Sequence, residues 1–506
     1  MTLARTWSVG LAGVHGAMVE VEVDMANGVP HVALVGLPDA VVRQSVDRVR
    51  AAVVNAGASF PQRRITIGLS PASMPKQGSG FDLALAAAVL AASGTVSPES
   101  VDRLVLLGEL GLDGSVRGIR GVLPAVLAAA RAGHAQVVVP AANAEEAALV
   151  DSVEVLAART LGEVLAHLAG RTRLSPHVRG PLPEPPLPPD LGDVVGQAAG
   201  RRAVEVAAAG GHHLLLAGPP GAGKTMLAER LPGLLPPLDE QAALEVTAIH
   251  SVAGTLPPGA PLVTRPTFEA PHHSATMAAL IGGGSGQIRP GAVCRAHRGV
   301  LFLDEAPEFP RAVLDTLRQP LERGQVTIQR AAGSATFPCR AQLVLAANPC
   351  PCASAAGDTA CTCSPLERRR YRSRLSGPLL DRIDLRVDLP PVTRAAWLDG
   401  LEAPETTAEV ARRVAAARGA AGERLTGTGF TVNSQVPGRL LRERWAVPRS
   451  SLGLVERALE RGALSVRGFD RVLRVAWTLC DLAGRAVPGP DEVAEALGMR
   501  LQRVAA

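Results

Sequence analysis

Gly218-Pro219-Pro220-Gly221-Ala222-Gly223-Lys224-Thr225 is the stretch on which the reading of this chain turns. It fits G-x-x-x-x-G-K-[ST], a loop that cradles phosphates. Leu214-Leu215-Leu216-Ala217 precedes it as a buried-strand run, and Met226-Leu227-Ala228-Glu229-Arg230-Leu231 follows with helical character. A strand, a glycine-rich turn and a helix in that order bring backbone N–H groups and a helix N-terminus onto one anion. In that arrangement Lys224 reaches the β- and γ-phosphates and Thr225 holds Mg²⁺. Gly218, Pro219, Pro220, Gly221, Ala222 and Gly223 form the cradle itself.

Downstream, Gly299-Val300-Leu301-Phe302-Leu303-Asp304-Glu305 is an apolar strand run that ends in two carboxylates. Following a phosphate loop, such a pair has the form of a Walker B motif. Asp304 is placed to bind Mg²⁺, directly or through water, and Glu305 to polarise the attacking water.

The rest of the composition sets bounds. A chain of 506 residues has room for roughly three domains. Apolar residues make up 47% and aromatics only 3%, so the cores are built from Ala, Val and Leu. No run approaches the ~20 apolar residues of a membrane span. Met1 to Gly16 lacks a charged segment followed by a long apolar one, so the expectation is a cytoplasmic protein without a signal peptide. The seven cysteines are then expected as thiols or metal ligands rather than disulfides. A formal charge of +5 permits nucleic-acid binding without requiring it.

Pro181, Pro183, Pro185, Pro186, Pro188 and Pro189 mark 172–192 as a stiff, extended linker. Before it, 1–171 reads as an α/β domain. Val19 to Val23 alternates like a half-buried strand. Asp39 to Ala56 has helical spacing, with Asp39 as N-cap and Gly57 as stop. Ile65-Thr66-Ile67, Leu104 to Leu107 and Val137-Val138-Val139 read as strands, and Leu83 to Ala92 as an apolar helix. The P-loop unit is expected over 193–395. The remainder, 396–506, is helical in pattern over Thr407 to Ala421, Ser450 to Gly462, Gly468 to Ala483 and Pro490 to Leu497.

Several further segments carry a resemblance. They are Ala270-Pro271-His272-His273-Ser274, Ile281-Gly282-Gly283-Gly284, Arg289-Pro290-Gly291 and Leu303-Asp304-Glu305. Leu317 to Glu322, Ala346-Ala347-Asn348-Pro349-Cys350-Pro351-Cys352 and Leu375 to Asp384 complete the set. With these, nearly the whole chain resembles the YifB/ComM family of magnesium-chelatase-like AAA+ ATPases. The fold implied is multidomain α/β. It has an N-terminal Lon-protease-like (ribosomal S5 domain 2-like) domain, a central AAA+ P-loop domain and a C-terminal helical lid.

The resemblance also implies roles. Asn348 looks like the sensor that helps place the attacking water. Arg382 stands where an arginine finger reaches a neighbouring subunit's γ-phosphate, and Arg467 resembles a second sensor. A cation is needed where charge builds on the transferring phosphoryl group. A finger supplied in trans implies a ring, by analogy a homohexamer. One departure is visible: the family usually has Arg before Ala-Pro-His-His, and this chain has Glu269. His272 and His273 are expected as hydrogen-bonded loop elements rather than metal ligands.

The N-terminal domain resembles the Lon protease domain. Pro75-Lys76-Gln77-Gly78-Ser79-Gly80-Phe81-Asp82 lines up with the segment that holds the Lon nucleophile, and that position falls on Gly80. The positions matching the Lon lysine are Leu123 and Ala125, which cannot activate a hydroxyl. Ser79 with Lys76 is a poor substitute, so the domain reads as a scaffold or interaction module.

Cys350, Cys352, Cys361 and Cys363 form C-x-C-x₈-C-x-C. Four thiolates so close can hold a tetrahedral Zn²⁺; the alternative is a loop of ordinary thiols or a redox-labile pair. Cys294, Cys339 and Cys480 look like ordinary small residues. The run Arg368-Arg369-Arg370-Tyr371-Arg372-Ser373-Arg374 is a candidate phosphate-backbone contact or an intersubunit surface.

The leading expectation is an ATP-driven DNA translocase or helicase. By resemblance it acts in branch migration during recombination or natural transformation, with recombination proteins as possible partners. The competing readings are a chelatase-type motor that remodels a partner or drives Mg insertion into a porphyrin, a non-enzymatic ATP switch, and an ATP-dependent protease. Intact Lys224, Asp304, Glu305, Asn348 and Arg382 speak against the switch, and Gly80 against the protease.

Overall fold

The computed structural model describes residues 2–181, 183–256, 262–284, 287–330, 333–352, 361–391 and 404–501. The first part is built on a seven-stranded mixed sheet of order β3-β4-β2-β1-β5-β8-β9. Its members are β1 (Thr2–Ala12), β2 (His15–Ala26), β3 (His31–Val35), β4 (Arg64–Ser70), β5 (Val105–Leu106), β8 (Gln136–Pro140) and β9 (Glu154–Ala158). Two short strands, β6 (Glu109–Leu110) and β7 (Val116–Arg117), pair beside it. β1 and β2 form one long antiparallel ribbon from Thr2↔Met25 to Ala12↔His15. The alternation of β2 puts Val19, Val21, Val23 and Met25 into the core.

The expected helices are present. Asp39 accepts a hydrogen bond from Val42 N at 2.7 Å and starts the helix Ala40–Asn55. The helix Asp82–Ala92 is buried on every side. That is possible because its one charge, Asp82, is bound by Arg48 through Nε at 2.7 Å and Nη2 at 3.0 Å.

The second sheet has five parallel strands in the order β11-β14-β17-β10-β18. They are β10 (Leu214–Ala217), β11 (Phe268–Glu269), β14 (Val300–Leu303), β17 (Gln342–Ala347) and β18 (Leu385–Asp388). Two hairpins leave it: β12 (Gly282–Gly283) with β13 (Arg289–Pro290), and β15 (Gln325–Arg330) with β16 (Gly333–Pro338). The runs Leu-Leu-Leu-Ala and Val-Leu-Phe-Leu are apolar throughout because both faces are covered. Leu214, Leu216, Val300, Phe302 and Val344 enter one cluster. Leu215, Leu301, Leu303, Leu343 and Leu345 enter another.

The C-terminal part is helical: Thr407–Arg424, Gly438–Glu443, Arg449–Glu460, Val466–Leu482 and Pro490–Leu501. Val410, Val414, Val472, Val475 and Val493 of these helices lie in the same cluster as Leu214 and Val344. The lid and one face of the P-loop sheet therefore share a single core.

The proline-rich segment is held at both ends. His177 N donates to Val155 O at 2.8 Å, and Asp190 Oδ1 accepts from Thr407 N at 2.8 Å. The first part also docks on the P-loop part. Glu146 accepts from Leu123 N at 2.8 Å and from Ser251 Oγ, which lies on the helix Glu240–Ala253 of the P-loop part. Gly121 N donates to Ser251 O at 3.3 Å. At the β1–β2 turn Gly13 has φ +68°, and a Cβ there would fall 2.5 Å from Thr336 O on β16. Glycine meets both the turn and the close approach.

Candidate active site

The P-loop turn follows β10, which lies between β17 and β18 in the five-stranded sheet. Gly221 and Gly223 take φ +77° and +83°, and the helix Lys224–Leu234 begins immediately after. A Cβ at Gly218 would lie 2.5 Å from Leu389 O, so the first residue of the motif is fixed by packing. Lys224 is only 8% exposed. Its Nζ donates to Gly218 O at 2.7 Å, Pro219 O at 2.8 Å and Asn348 Oδ1 at 2.9 Å. Burial lowers its pKa below the usual lysine value, while Asp304 and Glu305 act in the opposite sense.

Parallel register sets the remaining groups side by side. β10, β17 and β14 lie next to each other, so the residues that follow their C-terminal ends converge. Thr225 Oγ1 donates to Asp304 Oδ2 at 2.9 Å. The pair can hold a Mg²⁺ with Thr225 as hydroxyl ligand and Asp304 as carboxylate. Glu305 is exposed and has φ +47°. For a non-glycine residue this is a costly backbone state, of the kind that clusters at active sites.

A contact that the sequence reading missed lies beside it. His273 Nδ1 is 3.4 Å from Glu305 Oε2. His272 Nδ1 instead shares a hydrogen bond with Ser274 Oγ at 2.8 Å, the local role expected of it. Glu269, the departure from the family pattern, is engaged by Arg295 Nη2 at 2.9 Å and Nε at 3.0 Å. Its carboxylate therefore serves an ion pair within the domain.

Two arginines stand away from the loop. Arg382 binds Pro378 O at 2.5 Å through Nη1 and Glu322 through Nη2. Arg467 is exposed on the first turn of Val466–Leu482. Among the described residues no hydrogen bond or ion pair joins either to Lys224, Thr225, Asp304 or Glu305.

The N-terminal part has no nucleophile–base pair at the Lon-like positions. Lys76 Nζ is buried and donates to Pro71 O, whereas Ser79 Oγ donates to Glu109. Leu123 and Ala125 are buried apolar residues.

Family models agree with this layout in three consecutive pieces. "Subunit ChlI of Mg-chelatase" matches residues 21–143, "Magnesium chelatase, subunit ChlI" matches 190–397, and the ChlI C-terminal model matches 404–500. The competence protein ComM of Haemophilus influenzae is 40% identical over 506 residues, covering 99% of this chain and 98% of its own. The protein YifB of Escherichia coli is 38% identical over 500 residues, 99% and 97% of the two chains. The chain belongs to the magnesium-chelatase-like YifB/ComM family.

Within that family, an uncharacterized protein of Mycobacterium tuberculosis is 55% identical over 502 residues, 99% of each chain. Lon protease 2 of Bacillus subtilis is 32% identical over 162 residues, 30% of this chain and 28% of its own. The multidomain α/β architecture expected from the sequence is the one observed, with a partial Lon likeness and a helical C-terminal region. Membership in the YifB/ComM family makes the chain an AAA+ ATPase motor that uses ATP and Mg²⁺. Among the described residues no helix is long and apolar enough to cross a membrane.

Proposed function

We propose that the chain is a ring-forming ATPase that moves along DNA and works in branch migration, during recombination or the uptake of DNA. Full-length similarity to a competence protein is the observation that carries this reading. The exposed arginines of the helix Pro365–Arg372 support it, because they offer cations to phosphates close to the sensor residue Asn348. Lys224 and the P-loop backbone bind the triphosphate, Thr225 and Asp304 hold Mg²⁺, and Glu305 orients the water. Asn348 helps place the attacking water, while Arg382 acts on the neighbouring subunit of a homohexamer and Arg467 serves as second sensor. Zn²⁺ at Cys350, Cys352, Cys361 and Cys363 completes the cofactor set. The working units are 1–171, the linker 172–192, 193–395 and 396–506, and the protein acts in the cytoplasm.

The test is the ATPase rate of the purified chain with and without single-stranded, duplex and four-way-junction DNA at fixed salt. Stimulation that is strongest for one structure and lost in Glu305→Gln supports a DNA motor. A rate indifferent to every DNA sinks it. The second reading, a chelatase-type motor acting on a protein partner, is favoured by the ChlI description of the matching models. It requires stimulation by that partner instead.

A further inference from the structure

The cysteine cluster lies between catalytic and basic elements, and its geometry can be compared with a metal centre. Sγ of Cys350 is 3.2 Å from Sγ of Cys352 and 3.4 Å from Sγ of Cys361, and Cys352 is 3.6 Å from Cys361. All four sulfurs, Cys363 included, lie within 4.8 Å of one another. A disulfide needs about 2.05 Å between sulfurs, so none of these pairs is bonded. A tetrahedron of thiolates about 2.3 Å from Zn²⁺ puts its sulfurs about 3.8 Å apart, slightly wider than the three distances of 3.2 to 3.6 Å and inside the 4.8 Å span of the four. Four uncoordinated thiols have no comparable reason to converge from two separate segments.

What the cluster joins is specific. Cys350 follows Asn348 by two residues at the end of β17, and Cys363 precedes the basic helix Pro365–Arg372 by two. That helix turns back on the same strand end. Arg372 donates to Pro349 O through Nε and Nη2, each at 3.4 Å, and the buried Tyr371 lies beside the Asn348 backbone. Asn348 is thus reached from two directions, through the sulfurs and through the helix. Its side chain meets Lys224 at 2.9 Å.

We infer that the four cysteines hold one structural Zn²⁺ that closes this circuit, fixing Asn348 against Lys224 and locking the basic helix to the nucleotide site. Metal binding releases the thiol protons and leaves four thiolates on the ion. All four coordination positions are then taken by protein, the closed arrangement of a structural site rather than a catalytic one. Cys294 and Cys339 stay outside it: both are buried, and burial pushes their thiols up, Cys339 to about 12.

The effect on hydrolysis rests on the ATPase reading, but the site does not, and the experiment separates them. Metal analysis of the purified full chain should give about one zinc per chain, and Co²⁺ exchanged into it should show thiolate charge-transfer bands. Cys361→Ser with Cys363→Ser should remove the metal. Zinc well below one per chain, with all four thiols reacting freely with a thiol reagent in the native wild-type protein, overturns the site even if the variant fails to fold. Stripping the metal from the wild-type protein with a chelator should lower kcat roughly tenfold to a hundredfold and leave nucleotide affinity within a few-fold. Unchanged kcat after complete removal overturns the coupling and leaves the DNA reading untouched.

Discussion

His273 Nδ1 stands 3.4 Å from the Glu305 carboxylate, reaching across from the loop after the edge strand β11 to the strand β14 beside it. The histidine touches the carboxylate proposed to polarise water, and among the described residues no hydrogen bond or ion pair joins it to the phosphate loop. Replacing it should therefore act on turnover rather than binding. His273→Ala is expected to lower kcat roughly tenfold with KM nearly unchanged. Steady-state ATPase kinetics decide this, and a change confined to KM would refute the positioning role.

Glu305→Gln keeps the shape of the side chain and removes its basicity. Binding of ATP should persist while hydrolysis falls by roughly 10²- to 10⁴-fold. Lys224→Ala removes two hydrogen bonds to the loop, one to Asn348 and the cation itself, so nucleotide affinity should collapse. A fluorescent-nucleotide titration alongside a phosphate-release assay separates the two variants. Wild-type hydrolysis in the first, or wild-type affinity in the second, would contradict the assignments.

Arg382 is engaged by Glu322 of its own chain, and its proposed work lies on the neighbour. Arg382→Ala should cut hydrolysis by roughly 10³-fold or more without loss of nucleotide binding. Mixing it with Lys224→Ala should restore part of the activity, since one subunit supplies the loop and the other the finger. Inactive mixtures that nevertheless co-assemble would rule out action in trans.

Where the strand β10 begins, acid should loosen the fold. His213 Nδ1 accepts from Leu343 N at 3.0 Å, which requires an unprotonated ring nitrogen. Burial lowers the His213 pKa from 6.5 to about 4, with Asp384 opposing and Arg471 reinforcing. The folded pKa lies below the unfolded one. The stabilisation is therefore complete above pH 6.5 and is lost as pH falls through about 4. The shift bounds it at about 3 kcal/mol, and the ring is only half-buried, so less is expected. Thermal midpoints measured from pH 7 to pH 4 should fall more steeply for wild type than for His213→Asn, which keeps an acceptor without the titration. Parallel curves would refute this account.

Glu146 is buried, among the described residues no cation pairs with it, and burial raises its pKa while Ser251, Leu123 and Asn143 hold it by hydrogen bonds. Glu146→Gln should be close to neutral, since it retains an acceptor. Glu146→Ala should cost about 1–3 kcal/mol by orphaning buried donors and expose the joint between the first and second parts to protease. Equal resistance of both variants would show that the contact does not hold the parts together.

Legibility in the sequence followed distance along the chain. The P-loop was readable because strand, turn and helix are contiguous, and the helix Ala40–Asn55 because its cap and stop lie at its own ends. The pairing of Thr225 with Asp304 followed from chemistry, since a magnesium site needs both. His273 against Glu305 carried no such signal: β11 is a two-residue strand, too short for any periodicity, and only its pairing with β14 brings the two together. Glu146 against Ser251 likewise joins two parts that the linker separates in sequence. The position of Arg382 came from resemblance alone, and its pairing with Glu322, sixty residues away, left no mark on local spacing.

The core shared by the P-loop sheet and the C-terminal helices bears on how the protein is made. Leu214, Leu216, Val300 and Val344 are covered in part by Val410, Val472 and Val493, which are synthesised after them. The nascent ATPase sheet must therefore wait with one apolar face bare until the helix Pro490–Leu501 has left the ribosome, the interval in which chaperones and aggregation compete for such surfaces.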